Sequence, residues 1–274
     1  MKKILFVCDG DNFSLGAFDF IKGLQEAEPL SVTGVFFTPI DFEQLVSVSY
    51  MPNAGPYVKL KEEEKKLVRK SEQRFIQLCE AAGIKYHIHD QHEEWSSDLL
   101  VKETRFADLM VISEELFCSN IFAGQPNVFM KETLHRSECP VMMVPEGFRP
   151  FQRIVVAYDG KKESMYALKQ FCYLFPQLTE LPTEFVYAKD DSSNEVPDLE
   201  LLKEYSRLHF GSLNIAKLHF DGGKYFASWM EDKKDIVVVT GSFSRSVVST
   251  AMHRSFVDQI IYEHAAPVFV AHHV

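Results

Sequence analysis

The sequence predicts an α/β protein made of two tandem, doubly wound parallel-sheet (Rossmann-like) domains. Three observations support this fold class. Segments of the first half recur in the second half in the same order. Uniformly apolar stretches of strand length alternate with stretches in which apolar residues recur at helical spacing. The first strand of each half also ends in the dipeptide Asp-Gly.

The repeat sets the domain boundaries. Three segment pairs correspond: KKILFVCDG (2–10) with FQRIVVAYDG (151–160), ADLMVIS (107–113) with KDIVVVT (234–240), and CPVMMVPEG (139–147) with APVFVAHHV (266–274). The last two pairs have the same spacing along the chain, whereas the first pair lies further apart. We therefore predict domains at 1–148 and 149–274, joined by GFRPF. The first domain carries an insertion near 38–60, a stretch with three prolines and no helical period.

The first copy reads as alternating strands and helices. ILFVC is apolar throughout, as expected of a strand buried on both faces. The predicted helices include one with Phe13, Ala17, Phe20, Ile21 and Leu24 at helical spacing, a long one from EEEKK (62–66) to Gly83, and shorter ones near Leu99–Thr104 and Val128–Arg136. The long helix is predicted to bury Leu67, Ser71, Phe75, Leu78 and Ala82. The remaining predicted strands are SVTGVFF, IKYHIHD, DLMVIS and PVMMV.

The second copy follows the same order. Its predicted strands are RIVVAY, TEFVYA, IAKLHF, DIVVVT and PVFVA, and its predicted helices are 164–175, 198–209, 224–231 and 256–264. This βα alternation is typical of a parallel sheet with helices on both faces.

Charge and composition exclude several classes of function. The 274-residue chain has a formal net charge of -10 and a pI near 5.5. General nucleic-acid and anionic-membrane binders need a basic surface, so we expect neither partner. No apolar run reaches the length of a membrane span. The five cysteines are odd in number and lack C-x-x-C spacing, which favours free thiols in a cytoplasmic protein.

Ligands of open parallel sheets bind at the carboxyl ends of the strands, where the strand order reverses. Asp9-Gly10 and Asp159-Gly160 follow the first strand of each copy. Such an aspartate can accept hydrogen bonds from a base or a ribose. It can equally cap the next helix, with the glycine supplying the turn, and the two roles are compatible.

The two-copy layout, Asp-Gly after strand one, DIVVVTGS (235–242) and SFVDQIIYEHAAPVFVA (255–271) together resemble the universal stress protein family in its tandem form. The resemblance covers nearly the whole chain apart from 38–60. It implies the adenine nucleotide alpha hydrolase-like fold and a cytoplasmic role in the stress response. It also implies that the protein acts by binding and regulation rather than by catalysis.

ATP-binding members of that family carry G-x2-G-x9-G-[ST] after the fourth strand, where backbone N–H groups approach phosphates. The second copy matches this pattern in part, with Gly241 and Ser242, then Ser244 and Arg254 in place of glycines, and Ser255 as the final hydroxyl. Arg254 either blocks the backbone or pairs with a phosphate, and Arg245 adds a second cation. Ser255 with Asp258 also fits a capping box. With Asp159 and Gly160, these residues form the predicted ATP site.

The first copy has lost the pattern. Its corresponding residues are Glu114, Phe117, Asn127 and Val128. Glu114 is expected to repel a phosphate and Phe117 to crowd the backbone, whereas Asn127 reads as a helix cap. We predict that this copy does not bind ATP through the loop.

No other pattern indicates chemistry. HIHDQHEE (87–94) places His87 and His89 on one strand face, yet nothing fixes a further ligand, so no metal site is predicted. The sequence contains no G-x-S-x-G, G-x-x-x-x-G-K-[ST] or H-E-x-x-H motif, and no catalytic residue is predicted.

The last strand of each copy is strongly apolar. The resemblance implies that these strands pair the two halves as an intramolecular pseudo-dimer, with Met142, Met143, Phe269 and Val270 at the interface. A further homodimer and an unidentified protein partner remain open. So do two alternatives to regulated nucleotide binding: slow ATP hydrolysis in the second copy, and a pure interaction module with both pockets closed, acting through surfaces such as 38–60.

Overall fold

The fold is taken from a computed structural model, which describes residues 1–10, 12–37, 55–89, 97–118, 128–188, 195–218, 233, 235–241, 260–261, 263–264 and 266–272. The chain divides into two compact units, Met1–Ser137 and Glu138–Val274. Both are α/β units with mostly parallel sheets, which confirms the predicted fold class.

The first unit contains four strands and five helices in its described part. The strands are β1 (Lys2–Asp9), β2 (Leu30–Phe37), β3 (Lys85–Ile88) and β4 (Leu109–Ser113). The helices are α1 (Leu15–Ala27), α2 (Gly55–Ala82), α3 (Ser97–Thr104), α4 (Glu114–Cys118) and α5 (Val128–Arg136). The strands lie in the order β3-β2-β1-β4, and the pairings of β1 with β2 and β4 and of β2 with β3 are parallel.

The second unit begins with β5 (Val141–Val144) and continues with β6 (Arg153–Tyr158), β7 (Thr183–Ala188), β8 (Leu213–Leu218), β9 (Ile236–Thr240) and β10 (Val268–Val270). Its described helices are α6 (Lys162–Leu174), a 3₁₀ turn (Pro176–Leu178) and α7 (Leu199–His209). The strand order is β5-β10-β9-β6-β7-β8. All its pairings are parallel except that of β5 with β10.

The antiparallel pairing of β5 with β10 joins the last strands of the two sequence copies. Met142 lies opposite Phe269 and Met143 opposite Val268, and these side chains are buried. Both strands belong to the second compact unit, although β5 ends the first copy of the sequence repeat. The compact units therefore divide after Ser137, whereas the repeat predicts domains at 1–148 and 149–274.

The core of the first unit is rich in aromatic residues. The Phe6 and Phe75 rings stack with centroids 5.6 Å apart, and Phe36 meets Phe75 edge-on at 5.5 Å. Gly34 makes this packing possible, because a Cβ there would lie 2.7 Å from the Phe36 ring. Aromatic pairs in these geometries add stability beyond their buried area.

The long helix α2 differs from its prediction in two ways. It begins at Gly55, so the end of the 38–60 stretch is helical, and Pro56 fits because the first helical turn needs no N–H from it. From Lys65 onward, where its side chains are described, its buried residues are Val68, Ser71, Phe75 and Cys79. The predicted Leu67 is instead 38% exposed. The inward face is thus turned by about one residue from the predicted one.

Other details follow the sequence closely. Gly83 ends α2 with φ at +64°, the left-handed conformation that glycine adopts most easily. The five cysteines are free, and four of them are buried. Among the described residues, no helix is long and apolar enough to cross a bilayer.

Candidate functional site

The candidate site lies where the strand order of the second unit reverses. Strand β6 has β7 on one side and β9 on the other. In doubly wound sheets, the carboxyl ends of the strands at such a reversal are where ligands bind. Ala157 in β6 pairs with Thr240 in β9. The strands therefore end side by side, and Asp159-Gly160 and Gly241 emerge at the same edge of the sheet.

Asp159 closes the turn between β6 and α6. The backbone N–H of Lys161 donates to its Oδ1 at 3.0 Å, and Lys161 Nζ lies 3.2 Å from its Oδ2. The two side chains are 44% and 71% exposed, so this ion pair is weak and readily exchanged. The turn role weighed in the sequence analysis is present, although Lys161, not Asp159, occupies the N-cap position of α6.

Gly160 allows a close approach between this turn and the start of α7. Its φ is +76°, and a Cβ would lie 2.9 Å from the Cβ of Pro197. The hydroxyl of Tyr158 donates to the carbonyl oxygen of Pro197 at 3.1 Å. Burial, with a smaller contribution from Asp198 and Asp159, raises the pKa of Tyr158, so the hydroxyl remains a donor at neutral pH. Pro197, just before α7, is thereby held beside the Asp159-Gly160 turn.

Gly241 follows β9 and rests directly on the first turn of α6. A Cβ at this position would overlap the backbone of Glu163 and Ser164. Close packing of the two backbones is therefore sufficient to require glycine at position 241, independently of any ligand. This contact places the start of the predicted nucleotide loop beside the amino end of α6, which lies next to Asp159.

Three of the seven predicted site residues are thus brought together, namely Asp159, Gly160 and Gly241. Ser242, Ser244, Arg254 and Ser255 lie outside the described residues. The predicted capping box of Ser255 with Asp258 lies there too. Residues 260–261 are helical, within the helix predicted at 256–264.

The corresponding edge of the first unit is built differently. Glu114 and Phe117, the counterparts of Gly241 and Ser244, belong to the short helix α4 and are both fully buried. Burial, reinforced by Glu115, raises the pKa of Glu114 well above its usual range. The positions that correspond to Gly241 and Ser244 therefore lie in a buried helix in the first unit.

The Asp-Gly turn is anchored in both units. In the first unit, the Ser71 hydroxyl on α2 donates to the carbonyl oxygen of Gly10 at 2.8 Å. In the second unit, the hydroxyl of Tyr158, the residue before Asp159, donates to the carbonyl oxygen of Pro197. Sequence reasoning missed Tyr158, Pro197 and Ser71, because each acts through a partner distant in the chain. Only Tyr158 carried a local signal, since it directly precedes Asp159 in the chain.

The histidines near the end of β3 are engaged otherwise. His89 Nδ1 lies 3.0 Å from Glu103 Oε2 on α3. His87 is exposed, and the remainder of HIHDQHEE from Asp90 onward lies outside the described residues. Within the described part of the chain, no three His, Cys, Asp or Glu side chains cluster as metal ligands would.

Comparison with known proteins relates this architecture to one group of structures. The sequence matches no protein-family model and no curated protein. The fold is similar to that of a universal stress protein from Archaeoglobus fulgidus DSM 4304, with a TM-score of 0.67, 15% identity and 98% of each chain covered. It is also similar to a putative universal stress protein from Pseudomonas aeruginosa UCBPP-PA14. The latter has a TM-score of 0.54 and 13% identity, with 99% of this chain and 93% of that chain covered.

Proposed function

We propose that the chain is a tandem universal stress protein that binds an adenine nucleotide in its second unit. The observation that carries the proposal is the meeting of Asp159-Gly160 with Gly241 at the carboxyl ends of β6 and β9. Ligands of doubly wound sheets bind at such a reversal of strand order. The similarity of fold over almost the whole chain to a universal stress protein supports the family and the tandem arrangement.

The second unit contains the types of side chain that bind nucleotides. The Asp159 carboxylate is exposed, and its partners among the described residues are its own turn and Lys161, so it can accept hydrogen bonds from a base or ribose. The loop that begins at Gly241 contains Ser244, Arg245, Arg254 and Ser255, which offer hydroxyl donors and two cations for phosphates. Among the described residues of this arrangement, no nucleophile is paired with a base. We therefore propose regulation by binding rather than catalysis.

The first unit is proposed not to bind in this way. Glu114 and Phe117 place buried helical side chains where the ATP-binding pattern has glycines. One nucleotide per chain is the expected stoichiometry.

Calorimetric titration with Mg-ATP tests the proposal, after mass spectrometry of the purified protein for a carried-over nucleotide. We expect one site per chain. Asp159→Asn keeps the turn, because its amide oxygen still accepts from Lys161, yet it removes the charge. This variant should weaken binding by about tenfold. Asp9→Asn in the first unit is the matched control and should leave the affinity unchanged.

Arg254→Gly separates two roles of the arginine. A sharp rise in affinity would mean that Arg254 blocks the loop, whereas a collapse would identify it as a phosphate ligand. Release of ADP over hours would favour slow hydrolysis. Absence of binding at millimolar Mg-ATP, with no carried-over nucleotide, would overturn the proposal in favour of an interaction module.

A further inference from the structure

One residue, Lys161, engages both oxygens of the Asp159 carboxylate. Its backbone N–H donates to Oδ1 at 3.0 Å, and its Nζ lies 3.2 Å from Oδ2. The backbone bond belongs to the turn, whereas the ammonium group is on a flexible and largely exposed side chain. Because exposed ion pairs contribute little to stability, the ammonium group can leave the carboxylate at a small cost in free energy.

Lys161 also lies at the amino end of α6. It is the N-cap residue of this helix, and its side chain makes no capping hydrogen bond. The first turn that follows rests against Gly241, where a Cβ would lie 2.2 Å from the backbone nitrogen of Ser164. Lys161 is therefore between the Asp159 carboxylate and the start of the predicted nucleotide loop, and its long side chain can exchange between partners there.

The described side of the candidate site is otherwise rich in carboxylates. Asp159 lies in the turn, and Glu163 lies in the first turn of α6. Asp198 is the N-cap residue of α7, next to the proline that packs against the turn. Like charges repel, so these carboxylates oppose the approach of a phosphate. Lys161 and its neighbour Lys162 offset them, and Lys161 is the one that pairs with the carboxylate of the turn.

The two copies of the sequence differ in charge at this position. Asp159-Gly160 is followed by Lys161, whereas Asp9-Gly10 is followed by Asp11, which lies outside the described residues. The copy with the partial phosphate-binding pattern thus has a cation directly after the dipeptide. The copy that has lost the pattern has an anion there.

We propose that Lys161 makes the second unit select phosphorylated over unphosphorylated adenine ligands, an inference that rests on the proposed function. In the ligand-free protein, Lys161 Nζ pairs with Asp159. When a nucleotide binds, the ribose or base takes over the carboxylate, and the released ammonium group forms a charge-assisted hydrogen bond with a phosphate. Adenosine offers no such partner, so it has to displace the ammonium group without compensation.

Calorimetric titration of the full chain with Mg-ATP and, separately, with adenosine tests the proposal. We expect Lys161→Met to raise the dissociation constant for Mg-ATP about tenfold, because a hydrogen bond to a charged group is lost. The same variant should lower the dissociation constant for adenosine by up to about fivefold, because Asp159 is freed from its ion pair. A merely structural role of Lys161 would weaken both ligands together. Lys161→Arg keeps the charge and should keep the preference.

Lys162→Met is the matched control, because it removes the same charge from the next, exposed residue. It should leave both dissociation constants close to those of the wild type. If the wild type binds one Mg-ATP per chain and Lys161→Met leaves the ratio of the two constants unchanged, this inference is wrong and the proposed function stands. An equal effect of Lys162→Met would also overturn the inference. A wild type that binds neither ligand would overturn the proposed function as well.

Discussion

Two buried tyrosine hydroxyls in the second unit differ in one respect. The Tyr158 hydroxyl donates to Pro197, whereas the Tyr205 hydroxyl is buried without a hydrogen-bond partner among the described residues. Removing a hydroxyl that makes a hydrogen bond lowers the stability of the fold, because the bond is lost. Removing a buried hydroxyl without a partner takes away a group that was desolvated without compensation.

Replacing each tyrosine by phenylalanine tests this difference. We expect Tyr158→Phe to lower the free energy of unfolding by about 1 kcal/mol and Tyr205→Phe to leave it unchanged or raise it. Urea denaturation measures both values. The two variants lose the same atom, so equal destabilisation would contradict the assigned contacts.

Glu114 makes stability depend on pH. Burial raises its pKa in the folded state above that in the unfolded chain, so the folded state holds a proton that the unfolded state releases. The contribution of this residue to stability is fully present below the unfolded pKa of about 4.5 and declines as the pH rises toward the folded pKa.

Glu114→Gln should therefore be more stable than the wild type at pH 7, because the amide has no proton to lose. The advantage should shrink as the pH falls to about 4, where both states of the wild type are largely protonated. Thermal denaturation at a series of pH values, with the exposed Glu132→Gln as control, provides the measurement. An advantage independent of pH would mean that the pKa of Glu114 does not change on folding.

At the scale of single elements, two glycines of the first unit have opposite requirements. Gly23 lies inside α1 on its exposed side, with no atom within 4 Å of a Cβ built there. Gly83 ends α2 with a positive φ, where a side chain is strained.

Alanine at each position should therefore have opposite effects. Gly23→Ala is expected to raise the free energy of unfolding by about 0.8 kcal/mol, because alanine favours a helix interior. Gly83→Ala should lower it by about 1 kcal/mol. Urea denaturation compares the two directly, and destabilisation by Gly23→Ala would show that the exposed side of α1 is covered.

The elements were predictable because apolar periodicity is a local property. β7 and α5 were predicted at their observed bounds, since each has clear ends and regular spacing. The buried face of α2 was not predicted correctly. Leu67 and Val68 are both strongly apolar, and only packing against the aromatic cluster around Phe75 decides which one is buried. The helix α4 was missed because the alignment of the two copies treated that stretch as a loop.

The site was predictable only in outline. The repeat located Asp159 and Gly160, and the family resemblance located Gly241, but neither showed why glycine is needed at 241. That reason lies in the backbone of Glu163 and Ser164, a contact between segments far apart in sequence. The roles of Tyr158 and Ser71 were not predicted either, because their hydrogen-bond partners are also far away in the sequence.

At the scale of the whole molecule, β5 connects the repeat to the physical division of the chain. It ends the first sequence copy, yet it pairs along β10 inside the second compact unit. A fragment that begins at the compact-unit boundary should therefore behave differently from one that begins at the repeat boundary. A fragment 138–274 keeps β5, whereas 149–274 leaves the apolar edge of β10 unpaired, and exposed apolar edges promote aggregation.

We expect fragment 138–274 to stay in solution and to unfold cooperatively, and fragment 149–274 to scatter light at the same concentration. Equal solubility of the two fragments would mean that β10 does not need β5, and that the repeat boundary is also the physical one.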